Sequence, residues 1–147
     1  MHDSRARGFG VIGAILLLLV KYVSLTSIPR PLMMTTLVLM PVVSRWAMVY
    51  AIFAHPYARP SGLGKVFKEM TSRRRFVVAT LVALAVVFAL ARLPGLAIMF
   101  GVWVIIAAMA AYLERKFSGL TGDTYGAINE VAEVSVFILV CLLAYNQ

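Results

Sequence analysis

Long apolar segments, with little polar sequence between them, most constrain what this chain can form. Hydrophobic residues make up 62% of the 147 residues, and charged residues only 14%. A soluble domain of this length cannot remove so much apolar surface from water. An apolar helix of about 20 residues, by contrast, spans the hydrocarbon core of a bilayer. The composition therefore predicts an all-α integral membrane protein.

Prolines and charged residues divide the apolar sequence into about five transmembrane helices. We place these spans at residues 9–28, 32–54, 76–92, 96–113 and 123–145, within a single membrane domain 1–147. The turn Leu93-Pro94-Gly95 joins the third and fourth spans as a helical hairpin, because proline interrupts a helix.

The basic N-terminus followed by an apolar run is also typical of a signal peptide, but Lys21 and the length of the run argue against cleavage.

The distribution of basic residues predicts the orientation of the bundle. Ten of the fourteen lie in the N-terminus and in the connections 55–75 and 114–122, whereas two lie on the other side and two lie within spans. The positive-inside rule then places the N-terminus in the cytoplasm and the C-terminus outside. Because the bases alternate with apolar segments, the net charge of +8 favours this topology over binding to nucleic acid.

Several ionisable residues fall inside the predicted spans. Asp123, Asn129, Glu130 and Glu133 share an arc of about 120° on the last helix, with Glu133 about 15 Å deep. Two bases, Lys21 and Arg45, lie at similar depths on the first two spans. An unpaired charge at such a depth costs at least about 2.5–3.5 kcal/mol. We therefore predict that Arg45 pairs with Glu133 or Glu130, and that Lys21 pairs or extends toward the outer headgroups.

The polar segments on the cytoplasmic side are candidates for a site of phosphate chemistry. The predicted topology brings together residues 3–5, 55–64 and 120–133. Carboxylates bind Mg²⁺, and arginine stabilises the charge that develops in phosphoryl transfer. Other interpretations remain: Asp123 also suits a helix N-terminus, and His55 and Tyr57 also suit a membrane interface.

A different class of function uses the buried charges as a relay. Lys21, Arg45, Glu130 and Glu133 would then belong to a small transporter or ion-coupled subunit. A relay should continue toward the outer surface, but beyond Glu133 the last span offers few polar side chains before Tyr145. This favours the enzyme hypothesis over the transporter. A purely structural membrane protein would leave the pattern of glycine, aspartate and glutamate residues before and in the last span without a purpose.

Four segments resemble the cobalamin synthase family, the adenosylcobinamide-GDP ribazoletransferases. In order along the chain they are Met1-His2-Asp3-Ser4-Arg5 with Gly8-Phe9-Gly10, then Ser44-Arg45-Trp46-Ala47-Met48, then Pro56-Tyr57-Ala58-Arg59-Pro60-Ser61-Gly62-Leu63-Gly64, and finally Gly119-Leu120-Thr121-Gly122-Asp123-Thr124-Tyr125-Gly126-Ala127-Ile128-Asn129-Glu130 with Glu133 beyond. Their order and spacing are similar to the family's over essentially the whole chain.

The resemblance implies a Mg²⁺-dependent transferase of the inner membrane. It would join α-ribazole, or its 5′-phosphate, to adenosylcobinamide-GDP and release GMP. The implied partners are the lipid bilayer and these two substrates, with no nucleic acid, and a homo-oligomer is compatible with them. The implied roles fall on a few residues: catalysis on Asp123 and Glu130; metal binding on Asp3, Asp123 and Glu130; and substrate or phosphate binding on Arg5, Arg45, Tyr57, Arg59 and Asn129. The depth argument above adds a structural ion pair of Arg45 and Glu133.

One departure from the family pattern concerns an aspartate-rich segment, Asp-Gly-x-x-Asp-x-x-Asp-Gly, that family members carry upstream. Nothing in this sequence corresponds to it, and we therefore expect the chain to be an N-terminally truncated part of a larger domain. His2 and His55 also stand where lysine and phenylalanine are expected.

Overall fold

The computed structural model describes residues 3–59 and 61–145, with side chains described for residues 10–59, 61, 62 and 64–144. This part of the chain forms five helices: α1 Asp3–Ser27, α2 Arg30–Ala54, α3 Leu63–Met70, α4 Arg73–Phe117 and α5 Gly122–Tyr145. All except α3 are long and apolar enough to cross a membrane. The predicted all-α membrane bundle is therefore confirmed.

Helix α4 is a hairpin of two antiparallel arms. Its backbone leaves helical geometry at Arg92 (φ 48°, ψ −135°), just before Pro94. The ring of Tyr50 lies 6.4 Å from that of Phe76 on the first arm and 6.1 Å from that of Trp103 on the second. A straight helix would separate these two rings by about 40 Å. The four long helices therefore provide five crossing segments, with the hairpin turn where the sequence predicts it.

Helices α2 and α5 form the centre of the bundle, and α2 packs against both α4 and α5. The buried stripe on α2 consists of Leu39, Val43, Ala47 and Ala51, spaced four residues apart. The small side chains of Ala47 and Ala51 let the helix backbones approach closely, which is a principal source of helix association in lipid. Helix α1 packs mainly against α5 and exposes most of its apolar side chains.

Contacts between α1 and α5 show that the two helices run parallel. Lys21 of α1 contacts Glu133 of α5, and further along both helices the Cys141 thiol donates a hydrogen bond to the Ser24 carbonyl (3.3 Å). The beginnings of α1 and α5 therefore lie at the same end of the bundle. Which side of the membrane this end faces remains a prediction.

The connection between α2 and α4 is more ordered than the sequence predicted. It contains the short helix α3, from which the Lys68 ammonium donates hydrogen bonds to the carbonyls of Ile52 (2.7 Å), Phe53 (2.8 Å) and His55 (2.9 Å). These carbonyls lie at the end of α2 and have no partners within that helix. Burial lowers the pKa of Lys68, against the opposing effect of the Glu114 carboxylate. Lys68 thus fixes α3 to the end of α2.

His55 is buried in this connection, and its Nδ1 lies 2.6 Å from Glu114 Oε2. The histidine is therefore held by a partner at the end of α4.

Candidate functional site

Two backbone hydrogen bonds join the loop after α2 to the turn before α5. The Ala58 amide donates to the Leu120 carbonyl (2.8 Å), and the Leu120 amide donates to the Pro56 carbonyl (2.8 Å). Gly119 lies at this junction with φ of +139°, and a Cβ added there would lie 2.8 Å from the Ala58 nitrogen. The junction therefore requires glycine at position 119. It also holds Arg59, the residue after Ala58, near the start of α5.

Replacing Gly119 with alanine is expected to destabilise the protein by about 1–3 kcal/mol, because the new Cβ meets backbone and the φ angle is strained. Thermal unfolding in lipid nanodiscs would measure the loss. Gly122→Ala is the matched control, since a Cβ there meets nothing within 4 Å. Equal unfolding temperatures for the two variants would contradict the proposed role of the junction.

The junction borders a cavity of about 590 Å³ between α2, α3 and α5. Its lining is mostly apolar and aromatic, and it includes two charged side chains, those of Arg59 and Asp123. The lining residues are Met48, Val49, Ile52, Tyr57, Arg59, Ser61, Gly62, Gly64, Phe67, Thr71, Gly122, Asp123, Tyr125 and Gly126. The rings of Tyr57 and Tyr125 are stacked, with centroids 6.2 Å apart. The cavity has the size and character of sites that enclose small organic ligands.

Arg59 and Asp123, which both line the cavity, form a loose pair. Arg59 Nη2 lies 3.7 Å from Asp123 Oδ2, and the side chains are 61% and 89% exposed. A contact of this length between exposed groups contributes little to stability. Both charged groups are therefore available to a ligand.

Two threonines make the polar contacts at the start of α5. The Thr121 amide donates to Thr124 Oγ1 (2.7 Å), and the Thr124 amide donates toward Thr121 Oγ1 (3.4 Å). The hydrogen bonds at the start of α5 are thus made by these threonines, and the alternative interpretation of Asp123, as a charge that suits the helix N-terminus, stays open. Its carboxylate still lies in the first turn, where the helix dipole favours negative charge.

Deeper in the bundle, three ionisable side chains of α1 and α5 form a compact cluster. Lys21 Nζ lies 2.7 Å from Glu130 Oε2 and 2.6 Å from Glu133 Oε2. The Asn129 amide donates to Glu133 Oε1 (2.8 Å). One ammonium thus bridges the two carboxylates, which is the pairing that low-dielectric surroundings demand.

This cluster corrects the predicted ion pair between Arg45 and Glu133. Glu133 is held by Lys21 instead, and Arg45 is exposed, with no described carboxylate within 4.0 Å of its guanidinium. The reason is the rotation of α2: Ser44 faces the core, and Arg45 lies about 100° further around the helix. Because Arg45 is separate from the cluster, the charges among the described side chains do not form the continuous relay that the transporter hypothesis needs.

Arg45 lies one helical turn from two residues of the cavity wall, Met48 and Val49. Arg45 therefore lies on the same face of α2 as these two lining residues, one turn deeper in the bundle. Its predicted role in substrate binding remains a prediction.

The predicted metal ligands are only partly described. Asp3 and Arg5 fall within α1, but their side chains lie outside the described residues. Asp123 and Glu130 are two turns apart, about 10 Å along the helix, and Glu130 is already bound to Lys21. Among the described side chains no three of His, Cys, Asp and Glu converge as metal ligands. Asp123 alone fits the mode in which Mg²⁺ is held by one carboxylate and substrate phosphates.

Sequence reasoning did not single out Tyr125. Its side chain is only 3% exposed, and its hydroxyl has no hydrogen-bond partner in the described structure. Tyr125 lies within the motif Gly122–Gly126, but the stacking with Tyr57 depends on the loop junction and carries no local sequence signal. Gly62 and Gly64 pack against the Tyr57 ring, and in the sequence they stand out only as part of the segment that resembles the family.

The fold and the site together define a multi-pass α-helical membrane protein with a small-molecule cavity at one end of its bundle. The family model described as cobalamin-5-phosphate synthase, CobS, matches residues 1–142, and the chain belongs to this family.

Several relatives carry the name adenosylcobinamide-GDP ribazoletransferase. The protein of Desulforamulus reducens is 37% identical over 143 residues, which cover 97% of this chain and 57% of the relative. That of Roseiflexus sp. is 36% identical over 98% of this chain and 53% of its own length, and that of Caldanaerobacter subterraneus is 31% identical over 97% and 58%. The chain thus spans somewhat more than half the length of these relatives. No solved structure gave a significant match.

Proposed function

We propose that the protein serves the adenosylcobinamide-GDP ribazoletransferase reaction and that the cavity between α2, α3 and α5 is its substrate site. The observation that carries the proposal is the exposed, loosely paired Arg59 and Asp123 beside a cavity of about 590 Å³. Membership of the cobalamin-5-phosphate synthase family and the names of the relatives support the choice of reaction.

The proposed reaction transfers a phosphorus-containing group. A hydroxyl oxygen of α-ribazole, or of its 5′-phosphate, attacks the cobinamide-linked phosphorus of adenosylcobinamide-GDP. The new P–O bond forms as the bond to the GMP leaving group breaks, and the hydroxyl gives up its proton. The products are GMP and adenosylcobalamin or its phosphate.

Two side chains at the cavity match the needs of this step. The Asp123 carboxylate is an acceptor for the hydroxyl proton, and the Arg59 guanidinium can stabilise negative charge on the phosphoryl oxygens. The contact between them is long enough to open when substrate arrives. Their positions follow from the Gly119 junction, which joins the loop that carries Arg59 to the start of α5.

We also propose a Mg²⁺ requirement and a cytoplasmic orientation for this site. Asp123 would hold the ion together with substrate phosphates, and the ion would add positive charge at the reacting phosphate. Basic residues at this end of the bundle support the orientation at the inner membrane: Arg73, Arg74, Arg75, Arg115 and Lys116.

Substrate protection of an engineered cysteine tests the location of the site. Ser61 lines the cavity, so Ser61→Cys, in a Cys141→Ala background, places a thiol in it. We expect α-ribazole 5′-phosphate or adenosylcobinamide-GDP, at ten times its Kd, to slow maleimide labelling about tenfold.

Glu69→Cys is the matched control, because Glu69 lies on the same connection, is exposed and does not line the cavity. Its labelling rate should not change with either substrate. Equal labelling of Ser61→Cys with and without both substrates would refute this location.

A further inference from the structure

We propose that a surface pocket on the first arm of α4 binds the headgroup of an anionic phospholipid, whose acyl chains lie along the apolar face of the same arm. The pocket has a volume of about 440 Å³ and is lined by Ser72, Arg74, Arg75, Val78 and Ala79. None of these five residues lines the cavity between α2, α3 and α5. The proposal therefore adds a second binding site and does not depend on the proposed reaction.

Two guanidinium groups and a hydroxyl form the polar part of this pocket. Arg74 and Arg75 are exposed, and neither lies within 4.0 Å of a carboxylate among the described residues. Arg75 donates a hydrogen bond to the Met70 carbonyl, which orients its side chain. The Ser72 hydroxyl oxygen accepts from the Arg75 amide (3.4 Å), so the hydroxyl proton can be donated to a ligand. Donors of this kind suit the oxygens of a phosphate group.

The face of α4 that carries Arg74 continues as apolar surface into the membrane span. Val78, Leu81 and Val82 lie one and two turns further along on this side of the helix, and each is more than half exposed. Because α4 is long and apolar enough to cross a membrane, these side chains suit contact with acyl chains. A charged pocket directly above such a stripe matches a phospholipid better than a free phosphate or a soluble nucleotide.

Helix α3 indicates that the pocket lies at the level of the lipid headgroups. Its apolar side chains Val66, Phe67 and Met70 are about half exposed and fall within an arc of about 100°. Lys68, which binds the end of α2, lies on the opposite side of the helix. An amphipathic helix with an outward apolar face is typical of the membrane interface. The hydrogen bond from Arg75 to the Met70 carbonyl joins this helix to the pocket.

Membrane topology alone does not account for this arrangement. The positive-inside rule requires basic residues on the cytoplasmic side, but it does not require them in one pocket. Arg73 satisfies the rule as well as Arg74 does, yet it does not line the pocket. Anionic lipids of the cytoplasmic leaflet attract basic side chains near the membrane surface. The geometry therefore favours a defined site for one such lipid over a diffuse attraction to the membrane surface.

Lipid binding to the full chain in neutral detergent micelles, measured by native mass spectrometry, tests the proposal. Phosphatidylglycerol would be compared with phosphatidylcholine of the same acyl chains, and we expect the wild type to bind phosphatidylglycerol at least about tenfold more tightly. Arg74→Gln should weaken this binding about fivefold, and Arg74→Gln combined with Arg75→Gln about 30-fold, because each base near the surface contributes a similar amount. Arg74→Lys keeps the charge and should weaken it less than Arg74→Gln does.

Arg73→Gln is the matched control, because it removes the same charge from the neighbouring position, outside the pocket. It should change the Kd for phosphatidylglycerol less than about twofold. Equal losses in Arg73→Gln and Arg74→Gln would show diffuse attraction and overturn the proposal, as would equal wild-type affinities for the two lipids. Arg74 is exposed, so its single variant keeps the test decisive if the double variant does not fold.

Glycerophosphoglycerol, the same headgroup without acyl chains, separates a lipid from a free anion as the ligand. It should displace phosphatidylglycerol from the wild type only at concentrations at least about 100-fold above the Kd of the lipid, because acyl chains hold the lipid headgroup at the level of the pocket. Displacement at concentrations near that Kd would identify a site for a free anion and contradict the lipid assignment.

Discussion

Replacing Lys21 with methionine is expected to lower the free energy of unfolding by about 3 kcal/mol. The ammonium lies 2.7 Å from Glu130 and 2.6 Å from Glu133, and the side chains of Lys21 and Glu133 are only 17% and 13% exposed. Methionine is unbranched and only one atom shorter than lysine, but it leaves two carboxylates without a cation. Because Glu130 is 45% exposed and can still reach water, we take the lower end of the range for broken buried pairs.

A compensating variant separates charge from packing. Adding Glu130→Gln and Glu133→Gln to Lys21→Met removes both uncompensated charges and should recover most of the lost stability. Lys116→Met, which removes an exposed lysine near the end of α4, is the control and should change stability by less than about 0.5 kcal/mol. Denaturant unfolding in mixed micelles gives the values. An unchanged stability in the single Lys21→Met variant would disprove the structural role of the cluster.

The same cluster shows how far depth could be predicted from sequence and where prediction failed. Counting residues along each span placed Lys21 and Arg45 near the depth of Glu130 and Glu133, which is the depth at which Lys21 contacts them. The choice of partner depends on which face of α5 each neighbouring helix covers. Sequence periodicity cannot determine how one helix is rotated relative to its neighbour. The sequence therefore predicts for Arg45 the ion pair that Lys21 forms in the structure.

The architecture followed from strong local signals, whereas the site depended on weak ones. Apolar runs and the Leu93-Pro94-Gly95 turn predicted the spans, because chain length and proline act locally. Helix α3 was missed because its eight residues are amphipathic and too short to span a membrane. Its position depends on Lys68 binding the carbonyls at the end of α2, which is a tertiary contact.

Replacing Asp123 with asparagine is expected to reduce kcat at least about 100-fold, because an amide cannot accept the proton that the ribazole hydroxyl must lose. Stability should be unchanged, since the side chain is 89% exposed and its only described ion pair is the long contact with Arg59. Because the proposed Mg²⁺ ligand is lost as well, the variant should also need a higher Mg²⁺ concentration, and turnover should be compared at saturating Mg²⁺ and substrate. The effect should therefore fall on turnover.

Release of GMP from adenosylcobinamide-GDP, in the presence of α-ribazole and Mg²⁺, is the most direct measurement. It should be compared among the wild type, Asp123→Asn and Glu69→Gln reconstituted in lipid. Glu69 is an exposed carboxylate on α3 that does not line the cavity. We predict ribazole-dependent release by the wild type and Glu69→Gln at similar rates, with release by Asp123→Asn at least about 100-fold slower. Equal rates for the wild type and Asp123→Asn would contradict the assignment of this cavity as the site of ribazole transfer.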